Sequence, residues 1–154
     1  MKHPALILVL LAIALTGCAA APTQDARADP AVAATLSPKQ AVMMAAEAAP
    51  KGVDGVFELE VRGSGRDRFR TYLNSEADYR DQRNLTIALS PAAVEALRQR
   101  LGADPADALR GRRIIVTGTA ERVRIDFTGN GMPTGKYYYQ THVRVTGAVQ
   151  IMVL

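Results

Sequence analysis

Seven side chains in one stretch of the sequence could hold an anion or a flat ring: Arg66, Arg68, Arg70, Tyr72, Tyr79, Arg80 and Arg83. A guanidinium presents a planar fork of donors that matches a carboxylate or phosphate, and a tyrosine ring can stack on another ring. Acids are interleaved with these residues: Glu58, Glu60, Asp67, Glu76, Asp78 and Asp81. They support the opposite view, a solvated charged strand face in which arginines meet carboxylates. Other chemistry-bearing side chains are sparse. His142 is the only histidine beyond His3, and Cys18 is the only cysteine. A metal site needs several such ligands at ligating spacing. None is present, so no metal or cofactor is expected, and His142 is expected at the surface. Gly63-Ser64-Gly65 lacks the G-x-S-x-G pattern of a nucleophile elbow. Gly129-Asn130-Gly131 and Gly135 precede no strand-to-helix transition of the kind a phosphate loop requires. The sequence therefore predicts no catalytic centre.

Cys18 has a different context. Lys2 and His3 make a short polar head, Ala5 to Leu15 is almost unbroken apolar sequence, and Leu15-Thr16-Gly17-Cys18 follows directly. The apolar run is too short to cross a hydrocarbon core of about 30 Å, but it has the length of the centre of an export signal. The tetrapeptide resembles the lipobox of bacterial lipoproteins. That resemblance implies a signal over residues 1–17, cleavage before Cys18, and lipid on its thiol and new amine, which would hold the chain at a membrane. Ala19, rather than Asp, follows the cysteine; in Gram-negative lipoproteins this implies the outer membrane, facing the periplasm. Lipidation would consume the only cysteine, leaving no disulfide.

Cleavage would remove one positive charge, Lys2, from a formal net charge of +4 and leave +3. Such a balance is too mild to identify a partner. The remaining length suits one domain. Trp is absent and Phe occurs 3 times, so Val, Ile, Leu, Ala and Tyr must supply the core. Residues 18–36, rich in Ala, Pro and Asp, read as the lipidated N-terminus and a disordered tether. A helical extension is expected over 37–50. Ser37 and Gln40 form a capping-box pattern around Pro38, and Val42, Ala45, Ala46 and Ala49 make a weak apolar side.

A single domain is expected over 53–154, and from residue 55 the period changes from helical to two. Phe57, Leu59 and Val61 alternate with polar residues and predict a strand. Gly63-Ser64-Gly65 reads as a turn, Phe69, Thr71 and Leu73 as the inward side of a second strand, and Leu85, Ile87 and Leu89 as a third. Ser90-Pro91 opens a helix that carries Val94, Leu97 and Leu101 and closes at Gly102. Residues 113–125 and 137–145 predict two long strands, with a bulge or bend at Gly118 and a mobile loop over 129–135. A short strand over 149–153 completes the pattern. In the last long strand, Tyr138, Gln140 and His142 share one face.

This β-β-β-α-β-β order is that of an OB-fold, a five-stranded Greek-key barrel. Tyr72-Leu73-Asn74, Asn84-Leu85-Thr86-Ile87 and Leu109-Arg110-Gly111-Arg112-Arg113-Ile114-Ile115-Val116-Thr117-Gly118 also resemble small bacterial OB-fold domains. Ser75 stands where those domains usually carry an aromatic residue. The resemblance implies a binding module, often for nucleic acid. Together these features predict a non-enzymatic, membrane-anchored binding module. Its ligand would be an envelope protein, a cell-wall component or a small anion, with nucleic acid as the alternative.

Overall fold

The computed structural model describes residues 34–154. The expected signal, Cys18 and the tether up to residue 33 lie outside the described residues. Of the described residues, 46% are strand and 23% helix, so the protein is mainly β. Among them, no helix is long and apolar enough to cross a membrane.

Seven strands form one sheet, not the five expected. They are β1 (Val53–Glu60), β2 (Gly63–Arg66), β3 (Thr71–Asn74), β4 (Leu85–Leu89), β5 (Arg113–Gly129), β6 (Met132–Val145) and β7 (Ile151–Val153). The order is β1-β5-β6-β4-β3-β2, with β7 also on β5. The β4–β6 pair is parallel, and the other pairs are antiparallel. β1 and β2 lie at opposite ends of this order, yet only Val61 and Arg62 separate them along the chain. At that break the Val61 N–H donates to the Arg112 carbonyl and the Arg62 N–H to the Asn74 carbonyl, each at 2.9 Å. The sheet is thereby curled into a half-barrel.

Of the two strands beyond five, β7 lies within the short strand expected over 149–153, and β2 comes from the glycine segment. Gly63-Ser64-Gly65 is part of β2, paired with Tyr72 to Asn74, and is not a turn. The turn lies at Asp67–Arg70 instead. Asp67 Oδ1 accepts from the backbone N–H groups of Phe69 and Arg70, both at 2.7 Å, the aspartate-stabilised turn that competes with a strand ladder. Phe69 is accordingly outside the strand and 68% exposed, not inward.

The apolar sides of the strands meet in one core built on Phe57, Leu73, Ile87, Leu89, Ile114 and Val143, all fully buried. Helix α1 (Pro38–Glu47) carries the expected Ser37–Gln40 capping box. It enters the core through Ala41 and Ala45, while Ala46 and Ala49 are exposed. Small side chains let its backbone approach the sheet closely. Leu36, expected in the tether, forms a parallel bridge to Phe57. Helix α2 (Pro91–Leu101) starts at the Ser90 cap and stops at Gly102, whose φ of 73° is left-handed. Its buried residues are Ala93 and Leu97, with Val94 and Leu101 packed at the margin. A one-turn α3 (Pro105–Ala108) follows the Asp104 cap.

Residues 129–135 are not a loop. The register Gly129↔Met132 leaves only Asn130 and Gly131 between the strands, and both have positive φ, 50° and 78°. This is the two-residue Asn-Gly hairpin whose twist matches its strands. β1 stops pairing with β5 at Ala120, and β4 stops pairing with β6 at Thr141. Beyond those points β5 and β6 continue as a two-stranded arm.

Gly118 makes no bulge. It pairs regularly with Gly55, and a Cβ at this position would lie 2.9 Å from Val143 Cγ1. The residue provides close approach to the core. Gly118→Val is expected to lower stability by about 1–3 kcal/mol through overpacking. A fall in the urea midpoint checks this; an unchanged midpoint contradicts it.

Candidate functional site

β2, β3, the loop after β3 and the base of the arm enclose a groove of about 560 Å³. Its walls carry Arg66, Tyr72, Tyr79, Tyr138, Gln140 and His142, with Arg62 and Arg110 also bordering it. A buried polar cluster fixes one bank. Asn84 Nδ2 donates to Asn74 Oδ1 at 3.1 Å, to Thr86 Oγ1 at 2.9 Å and to the Tyr79 carbonyl at 3.3 Å. Its Oδ1 accepts from the Glu76 N–H at 3.1 Å and from Ser75 Oγ at 3.3 Å. Ser75 Oγ in turn accepts from the Leu85 N–H at 2.8 Å. These bonds tie residues 75–84 to the sheet and hold Tyr79 over the groove.

Tyr72 donates its hydroxyl proton to Asp67 Oδ2 at 2.6 Å. Burial, together with this bond to a charged acceptor, pushes the Tyr72 phenol up to about 12. The Tyr72 hydroxyl and the Phe69 and Arg70 N–H groups lower the Asp67 carboxyl. The proton thus stays on tyrosine and the charge on aspartate, so the pair is a fixed dipole rather than an acid–base relay.

On the other wall, Gln140 Nε2 donates to the Tyr79 carbonyl at 3.2 Å and to the Tyr138 hydroxyl at 2.8 Å. A carbonyl can only accept, so the amide orientation is set. Gln140 Oε1 then faces His142 Nε2 at 2.7 Å, which places the histidine proton on Nε2 and leaves Nδ1 as an acceptor. The His142 ring lies 6.1 Å from that of Tyr72. The expectation of a surface histidine is therefore corrected: His142 is a partly buried element of the groove wall. Burial, with Arg144 and Arg70 nearby, pushes its pKa down to about 4.

This shift has a testable sign. Folded His142 stays neutral down to about pH 4, whereas the ordinary value is 6.5. As pH falls, the unfolded chain takes up the proton first. The stability contributed above pH 6.5 is therefore lost between about 6.5 and 4. The expected loss from pH 7 to pH 5 is about 1–2 kcal/mol. His142→Gln should remove this decline. Denaturant unfolding at the two pH values checks it, and equal declines in both proteins contradict it.

The seven sequence candidates do not form one cluster. Arg66, Tyr72 and Tyr79 reach the groove. Arg66 is ion-paired to Asp104, which Arg98 also contacts at 3.1 Å. Burial alone would raise the Asp104 carboxyl, but the Ala106 N–H and the two arginines outweigh it and the net shift is downward. Arg68 and Arg70 border a separate shallow depression with Phe69, and neither makes an ion pair among the described residues. Arg80 lies over the Tyr79 ring at 4.5 Å and faces a trough on the other side of the loop. Arg83 is held by Asp81 through contacts of 3.0 and 2.7 Å, which draw the Asp81 carboxyl down to about 2. It borders neither groove nor trough.

Tyr138, Gln140, His142, Asp67, Arg62 and Arg110 are groove residues outside the sequence-derived set. The shared strand face of Tyr138, Gln140 and His142 was a usable signal. The pairing of Asp67 with Tyr72 was not, since it depends on where the turn falls. No group of three or more potential metal ligands occurs among the described residues. No protein-family model matches the chain, and no curated protein matches it.

Proposed function

We propose that this chain is a lipid-anchored, non-enzymatic binding module of the bacterial envelope, and that its ligand occupies the groove between β2, β3 and the base of the arm. The carrying observation is the preformed polar wall: Tyr72, Tyr138, Gln140 and His142 stand on strands and Asp67 on the turn after β2, and the Asp67–Tyr72 dipole and the Tyr138–Gln140–His142 chain have fixed donors and acceptors. Such a surface suits an amide- and hydroxyl-bearing ligand with a carboxylate for Arg110, the groove arginine that has no ion pair among the described residues, the chemistry of cell-wall glycopeptides. The anchor rests on Cys18 and its apolar leader.

An OB-fold is supported by the strand order. If β1 and β2 are two halves of one bent strand, the order closes on itself through five strands, and α2 falls between the third and fourth. β7 is then an addition. In that architecture the groove lies on the ligand face, between the first inter-strand loop and the last hairpin.

Muropeptides applied to the immobilised chain test the site. Retention that is lost in a Tyr72→Ala, His142→Ala double variant supports it. Equal retention by a double variant that still unfolds cooperatively contradicts it.

One observation favours nucleic acid as a second ligand class: Arg68, Phe69 and Arg70 project from the turn beside the groove, and neither guanidinium is in an ion pair among the described residues, although Asp67 lies beside Arg70. Titration with a labelled dT oligonucleotide at low salt separates the two. Salt-sensitive binding lost in the Arg68→Ala, Arg70→Ala double variant supports nucleic acid; no binding at low salt removes it.

A further inference from the structure

The arm carries a second candidate site, which meets the groove at Tyr138 and Gln140. A trough of about 540 Å³ runs along β6, bounded by Val42 and Ala46 of α1, by Arg80 and Gln82 of the loop, and by Arg122. Its floor is the consecutive segment Tyr137–Thr141. Consecutive residues line a depression when a strand presents its edge, because their side chains alternate between faces. β4 pairs with β6 only from Thr141 onward. Among the described residues, Tyr137–Gln140 therefore have a ladder partner on the β5 side alone. An open edge of this kind can accept another strand.

Its electrostatics are one-sided. No carboxylate lines the trough. Arg124 is engaged by Asp126 through contacts of 2.9 and 2.7 Å. Arg80 and Arg122 have no ion pair among the described residues. Each is instead laid over a ring, Arg80 on Tyr79 and Arg122 on Tyr139, the latter at 3.8 Å. A stacked guanidinium keeps its in-plane N–H donors free for an anion. The same stacking covers the Tyr139 face, while Arg124 covers that of Tyr137 at 4.1 Å. Flat bases would find these two faces occupied, so the trough is poorly built for a nucleic acid. A second copy of this chain would bring like charges together.

We propose that the trough binds an extended acidic peptide segment of a partner protein by strand addition to the free edge of β6 at Tyr137–Gln140, with Arg80 and Arg122 taking its carboxylates. Main-chain bonds give such a complex its affinity and side-chain contacts its specificity.

The test uses the full chain in detergent and a fluorescein-labelled alternating Glu-Thr decapeptide, read by anisotropy. Saturable binding is expected. It should weaken by about tenfold or more in three cases: with the corresponding Gln-Thr peptide, with a Glu-Thr peptide N-methylated at alternate residues, and with the Arg80→Gln, Arg122→Gln double variant. Tyr72→Phe, which alters only the groove, should leave binding unchanged. Three results overturn the proposal. One is the absence of binding. Another is equal binding of the N-methylated peptide, which reduces the contact to charge alone. The third is a concentration-dependent dimer that the peptide does not dissociate, which gives the edge to a second copy.

Discussion

Asn84→Ala is expected to lower stability by about 3 kcal/mol and to release the loop over residues 75–84. Asn84 is 2% exposed and its amide serves five partners across β3, β4 and the loop. Alanine leaves the Glu76 N–H and the Tyr79 carbonyl without this partner and takes donors from Asn74 and Thr86. An unsatisfied buried polar group costs about 1–3 kcal/mol, and a domain's whole stability is about 5–15 kcal/mol. The loss is therefore a large share of the total. A lower urea midpoint, with amide exchange accelerated first at residues 75–84, is the expected result. An unchanged midpoint, or faster exchange spread evenly over the sheet, would contradict it. Because Tyr79 rides on this loop, the same variant should also bind groove ligands more weakly.

Cys18→Ser carries the second large effect, on location rather than folding. If the thiol receives diacylglycerol, serine removes the acceptor. The expected product keeps its leader or lacks the anchor. Several acyl chains at about 0.8 kcal/mol per buried CH₂ hold a protein stably at a bilayer, so membrane retention should change from nearly complete to nearly none for any processed product. Fractionation and intact-mass measurement check this. Wild-type retention together with wild-type mature mass in the variant would refute lipidation. The described fold should be unaffected, since Cys18 lies well before Leu36, the first described residue to bridge the sheet.

Features encoded by local chemistry were the readable ones. Ser37-Pro38 with Gln40, and Ser90-Pro91 with Gly102, mark helix limits because caps and left-handed glycines act within a few residues. The alternation of Phe57, Leu59 and Val61 reports a one-sided sheet for the same reason. β2 was not readable. Gly-Ser-Gly has little strand preference of its own and is extended because β3 pairs with it. The Asn130-Gly131 hairpin was readable in principle, since that dipeptide between strands is a strong turn signal. The surrounding Pro133 and Gly135 disguised it as a loop, but Gly135, with a φ of 79°, sits near the irregularity in the β5–β6 register.

The site divides along the same line. Arginine and tyrosine enrichment drew attention to the right part of the chain, yet composition cannot tell which arginines are already neutralised. Arg66 finds Asp104, 38 residues away, whereas Arg83 finds Asp81, two residues away. Only three-dimensional pairing leaves Arg68, Arg70 and Arg80 without an ion pair among the described residues. His142 was misplaced because β6 pairs in parallel with β4, which brings it opposite Thr86 and beside Tyr72. Nothing local announces that pairing.

The groove as the ligand site is tested most directly by mapping. A ¹⁵N-labelled chain lacking residues 1–18 is titrated with muropeptides while backbone amide shifts are followed. Saturable shifts concentrated at Ser64–Asp67, Tyr72–Asn74 and Tyr138–His142 are predicted. Shifts confined to other surfaces, or none at saturating muropeptide, would contradict it.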